Sequence, residues 1–266
     1  MPHKDLKNKP LVEAILEVKW QLAQPGQMSG VPQMALSAVD PHYRLLLGRL
    51  FDRFQKEYPV HEPQPAATLP DELVSHVVQH RFRAAKDDWP LVQVGPGILT
   101  LNETQRYTWT DFQNRAKEAV VRLFDAHPNV GELRIQSLVL RYIDAVEFNY
   151  QEESAFAFLK DKLKVGISLP PSLFQDTGVG DLPRSFSWQA TFQCSKPRGS
   201  LHVSFATGRK EGKPAILWET TVHSAVDELP DMPDGFPSWL DVANETTHDW
   251  FFKLIEGELE RRFNGD

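Results

Sequence analysis

The feature that most constrains this chain is a short match at an offset of 130 residues, accompanied by a repeat of element order. Thr108-Trp109-Thr110-Asp111-Phe112 returns as Ser238-Trp239-Leu240-Asp241-Val242. In both places a hydroxyl residue stands three positions before an aspartate, the spacing of a capping box that opens a helix. The offset is close to half of the 266 residues, so the chain reads as two units, 1–130 and 131–266, each closing with a helix. A duplicated unit narrows the choice of folds, because both copies must bury equivalent faces.

The hydrophobic pattern fills in the units. Val12, Ala14, Leu16, Val18 and Trp20 alternate with Glu13, Ile15, Glu17 and Lys19, a period of two that predicts a half-buried strand. Asp40 is placed to cap a helix with Pro41 in its first position, and Tyr43, Leu46, Leu47, Leu50, Phe51, Phe54 and Tyr58 make one helical stripe ended by Pro59. Residues 61–70 read as a Pro-rich connector, and 78–84, 91–94 and 98–101 as a meander of short strands before the helix capped at Thr108. The second unit follows the same order: a strand over 138–148, a helix over 154–165 and a long loop. Strands at 186–194, 201–207 and 215–223 then lead to a terminal helix behind Ser238. The expected fold is therefore α+β: two tandem β-α-β-β-β-α units forming one pseudo-twofold body, a curved antiparallel sheet with helices on one face.

Composition excludes several classes of function. The net charge is −7, but 1–130 carries 15 basic and 15 acidic side chains while 131–266 carries 14 and 21. An acidic second half argues against a broad nucleic-acid footprint, which needs a basic stripe to neutralise phosphates. Cys194 is the single cysteine, so no intramolecular disulfide forms. The first nine residues are charged and no apolar h-region follows them. A cytoplasmic protein without a membrane span is expected.

Three stretches carry a resemblance: Lys9-Pro10-Leu11-Val12-Glu13-Ala14, the turn Val94-Gly95-Pro96-Gly97 leading to Leu99-Thr100-Leu101-Asn102, and Arg141-Tyr142-Ile143-Asp144. Together they resemble a sporadically distributed prokaryotic family that opens with a Pro-Leu-Val-Glu-Ala strand and carries Arg-Tyr-Ile-Asn mid-chain. The likeness spans nearly the whole chain. It implies an accessory protein of mobile or defence-associated loci, type III CRISPR neighbourhoods among them, and brings no established activity. The departure at Asp144 argues against a role specific to an amide.

No catalytic motif, cofactor loop or metal-ligand spacing stands out, so no enzyme, cofactor or metal is expected. Gly178-Val179-Gly180 and Gly95-Pro96-Gly97 do not continue as phosphate-binding loops. His76 and His80 lack a third ligand, and His248 near Glu245 and Asp249 reads as an interfacial histidine. Glu13, Glu17, Arg141 and Asp144 lie on the opening strands of the two units and form a candidate structural or interaction cluster, with an Arg-carboxylate pair knitting the halves together. A candidate partner-binding surface combines Gln189, Thr191, Gln193, His202, Glu219 and His223 on the outer sheet face with the acidic Asp227, Glu228, Asp231 and Asp234. The loops 24–39, 166–185 and 225–237 are long enough to recognise something. The expected function is a non-enzymatic accessory protein that binds a protein partner. The alternative is a small-molecule module with an aromatic-lined pocket between helices and sheet, using residues such as Trp20, Trp188 and Trp218.

Overall fold

The computed structural model describes residues 6–23, 39–104 and 106–265. Of the loop expected at 24–39, only Val39 falls within these residues. The first half runs β1 (Leu11–Trp20), α1 (Tyr43–Phe54), β2 (Val60–Pro63), β3 (His80–Arg83), β4 (Leu91–Gly95), β5 (Ile98–Glu103) and α2 (Trp109–Ala126). The second runs β6 (Ile135–Glu147), α3 (Ala155–Leu163), β7 (Ser187–Ser195), β8 (Arg198–Lys210), β9 (Lys213–Ala225), α4 (Phe236–Ile255) and α5 (Glu258–Asn264). The strands form one curved antiparallel sheet in the order β2-β3-β4-β5-β1-β6-β9-β8-β7.

Each half arranges its strands alike. The last strand of the meander returns beside the opening strand, so β5 pairs with β1 and β9 with β6, while β1 and β6 pair with each other at the centre. The seam is apolar on the helix side, where Leu16 lies opposite Leu140 and Leu140 opposite Val222, all fully buried. One hydrophobic cluster draws on both halves, from Leu46 and Phe112 to Leu201 and Leu240. Each such side chain contributes about 1.5–3 kcal/mol of burial.

Several expectations are corrected. Residues 61–63 belong to an edge strand, β2, and not to a connector; the strand ends in Pro63, which an edge tolerates because a missing N–H there disturbs no ladder. Asp40 does not cap α1. Its carboxylate accepts from the Trp20 indole at 2.9 Å, from the His42 N–H at 3.0 Å and from the Gly97 N–H at 3.3 Å, and so fastens the end of β1 to the β4–β5 turn. Gly97 sits at φ +75°, a left-handed position that glycine adopts without strain.

The two capping sites also differ. Thr108 caps α2 by accepting from the Asp111 N–H at 3.4 Å, while the Asp111 carboxylate turns to Arg115 at 2.7 Å. Ser238 and Asp241 cap nothing, because α4 starts at Phe236 behind Gly235. Asp241 instead accepts a hydrogen bond from Gln113, which ties α4 to α2. The single terminal helix expected from the stripe is broken at Gly257, which has φ +107°.

Candidate functional site

The helix-facing side of the central seam holds a cavity of about 240 Å³. The sheet wall comes from the approach to β1 (Lys9, Pro10, Leu11), from Tyr142 and Asp144 of β6 and from Thr220 of β9. Asn244, Thr247 and His248 of α4 and the first turn of α2 close the opposite side, with aromatic rings of Tyr107, Trp109, Phe251 and Phe252 between them. It lies where the opening strands of both halves meet the helix layer. The register fixes the polar groups: Tyr142 is opposite Thr220, and Asp144 opposite Trp218.

The hydroxyl of Tyr142 is held in place. It lies 2.9 Å from the Tyr107 hydroxyl and accepts from the Asn244 amide at 2.9 Å. Burial raises this phenol above its ordinary value, against the pull of those two hydrogen bonds. The rings of Tyr107 and Tyr142 meet edge to face at 5.8 Å, and Lys9 donates to the Tyr107 carbonyl at 2.9 Å. On the α4 side the His248 and Phe252 rings lie 4.6 Å apart.

Asp144 is the acid of this cavity and is only 3% exposed. Burial pushes its carboxyl up to about 8, opposed by the charge of Lys210, and no hydrogen bond stabilises the ionised form among the described residues. Such a group is protonated near neutrality and is costly to ionise without a partner. Thr220 adds a buried hydroxyl with no hydrogen-bond partner among the described residues. An apolar chamber with aromatic walls and unspent polar groups on one side is the usual make-up of a small-molecule site.

The residues singled out in the sequence separate onto two faces of the sheet. Glu13, Glu17 and Arg141 point to the face opposite the helices and Asp144 to the helix side, so the four do not form one cluster. Glu13 accepts from Asn102 at 2.7 Å, Glu17 pairs with Lys19 at 2.6 Å, and Arg141 pairs with Glu219 at 2.6 Å. The arginine thus links β6 to β9 within the second half. Its Nε is buried without a partner among the described residues.

The expected outer surface is aligned by the register. One row runs Gln189, Ser204, Glu219, Ile143 and Glu13; the next Thr191, His202, Thr221, Arg141 and Ile15; the third Gln193, Ser200, His223, Val139 and Glu17. Thr191 and His202 are bonded at 3.0 Å. The acidic segment stands apart from these rows, beyond the end of β9, with Asp227, Asp231 and Asp234 exposed and Glu228 accepting from the Ala225 N–H at 3.2 Å.

None of the tryptophans expected in a pocket lines the cavity. Trp20 and Trp218 are core side chains, 2% and 1% exposed, and Trp188 packs on Phe205 at 5.8 Å. His80 meets His61 at 2.9 Å rather than His76, whose ring reaches the Trp20 carbonyl at 3.1 Å. Among the described residues no group of three or more His, Cys, Asp or Glu is arranged to hold a metal ion, and no helix is long and apolar enough to cross a membrane. Two sequence signals pointed to the cavity: an aspartate on the apolar face of β6, and Asn244 and Thr247 within the stripe of α4 that carries Leu240 and Phe251. No family model matches the chain, and no curated protein matches it.

Proposed function

We propose that this protein is a non-enzymatic small-molecule binding module whose ligand is an organic amine with a compact apolar body, held in the cavity at Asp144. The observation that carries this reading is a carboxyl buried at the cavity wall without a hydrogen bond among the described residues. A ligand ammonium would supply the missing counter-charge and draw the carboxyl into its ionised form, while Tyr107, Trp109 and Phe251 line the cavity with aromatic carbon suited to a hydrocarbon body. The volume sits just below the usual range for small-molecule sites, roughly 300–1,000 Å³, and suits a ligand of one ring. A cytoplasmic setting fits the single cysteine.

The test sets phenethylamine against hydrocinnamate, which carries the opposite charge on a similar body, by calorimetry and thermal shift. The amine binds the wild type and loses about tenfold or more in affinity in Asp144→Asn, which is about 1.4 kcal/mol. Equal binding of the acid, or unchanged amine binding in Asp144→Asn, would sink the reading.

A second reading, an accessory protein that docks a protein partner on the open sheet face, is favoured by the three aligned polar rows containing Gln189, Thr191, Gln193, His202, Glu219 and His223. Cross-linking from a photoreactive group at Gln189 to a specific host protein would support it, and labelling of solvent alone would remove it.

A further inference from the structure

β7 forms one end of the sheet and pairs only with β8 among the described strands. It spans nine residues, against four for β2 at the opposite end. Soluble proteins protect such an edge with lysine, proline, a bulge or a short strand. Ser187–Ser195 contains no charged residue, no proline and no glycine, and its register with β8 is unbroken. Phe192 is 44% exposed.

The segment also reads nearly the same from either end. Ser187 mirrors Ser195, Gln189 mirrors Gln193, and Thr191 is the centre; between them Ala190 mirrors Phe192 and Trp188 mirrors Cys194, small against large. The Thr207 N–H donates to the Phe186 carbonyl opposite it, at 3.1 Å. Because hydrogen-bonding direction alternates along an antiparallel strand, the even-numbered residues of β7 turn their backbone groups to β8 and the odd-numbered ones turn theirs outward.

We infer that β7 pairs with β7 of a second copy of this chain, antiparallel, about a twofold axis through Thr191. In that register every outward N–H and C=O meets its counterpart on an odd-numbered residue, giving about ten hydrogen bonds over the nine positions. Phe192 of each copy lies beside Ala190 of the other on the helix side, which covers the exposed ring. The two sheets become one, with the helices of both copies on the same face. The uncharged, self-complementary sequence selects a second copy over a foreign strand.

Sedimentation velocity over a wide concentration range tests the pairing, alone and with Thr191→Lys, Thr191→Glu and their mixture. The wild type forms a concentration-dependent dimer. Each charged variant weakens it by about fivefold or more, because like charges face one another across the axis, and mixing the two variants restores a dimer. That restoration separates pairing from misfolding. In a Cys194→Ser background, Ala190→Cys with Phe192→Cys oxidises to a linked dimer, and neither single replacement does so efficiently. A wild type that stays monomeric, a Thr191→Lys protein that dimerises as well as wild type, or a mixture that stays monomeric overturns the inference. None of these outcomes depends on the cavity at Asp144.

Discussion

Replacing Asp144 by asparagine keeps the shape of the side chain and removes its ionisation. Burial moves this carboxyl from 3.8 to about 8. The unfolded chain therefore releases the proton near pH 4, whereas the folded chain keeps it until about pH 8. Between those limits the folded state binds more protons than the unfolded state, so stability falls as pH rises, by about 1.4 kcal/mol per unit. Over the whole window the loss reaches about 6 kcal/mol, an upper figure because water entering the cavity solvates part of the charge. The asparagine variant escapes that loss. Urea unfolding of both proteins, followed by tryptophan fluorescence at pH 5, 6, 7 and 8, gives the difference directly. The variant leads wild type by about 1.5 kcal/mol at pH 5 and gains on it steadily toward pH 8. A difference that does not change with pH would refute the reasoning, since it would mean that Asp144 titrates alike in the folded and unfolded chain.

Leu140→Ala opens a void at the seam between Leu16 and Val222 and costs about 3 kcal/mol in urea unfolding. Because one core cluster spans both halves, unfolding stays a single transition by fluorescence and far-UV dichroism. Thr108→Ala removes a working cap and costs about 1 kcal/mol, whereas Ser238→Ala, inside α4, stays within about 0.5 kcal/mol of wild type. Thermal melts of the two variants check the contrast. Arg141→Ala breaks the bond to Glu219, but the arginine side chain is 41% exposed, so the loss stays within about 1 kcal/mol in the same assay.

Much of the fold was legible in local pattern. Alternation in β1 and the stripes of α1 and α2 report burial on one side, which depends only on the period of the backbone and on which residues avoid water. β2 was missed because a four-residue edge strand ending in proline has the composition of a loop. The second capping box was misread because Ser238-x-x-Asp241 has the right spacing, yet Pro237 in the first turn and the packing of Trp239 let α4 start earlier. Spacing alone does not choose between a cap and a helix interior.

The site was legible in pieces. The parity of β6 puts Asp144 on the apolar side and Arg141 on the other, and the alternation of β7 puts Gln189, Thr191 and Gln193 together. These are properties of one strand at a time, so the amino-acid order determines them. The neighbours across strands are another matter. Arg141 meets Glu219 rather than Glu13 or Glu17 because β6 takes β9 on one side and β1 on the other in particular registers. The cavity exists because α2 and α4 approach the sheet at the seam and leave space over Asp144 and Thr220. Strand order, register and helix placement are set by contacts between residues distant in sequence, such as Leu16 with Leu140 and Gln113 with Asp241, and a local period carries no information about them.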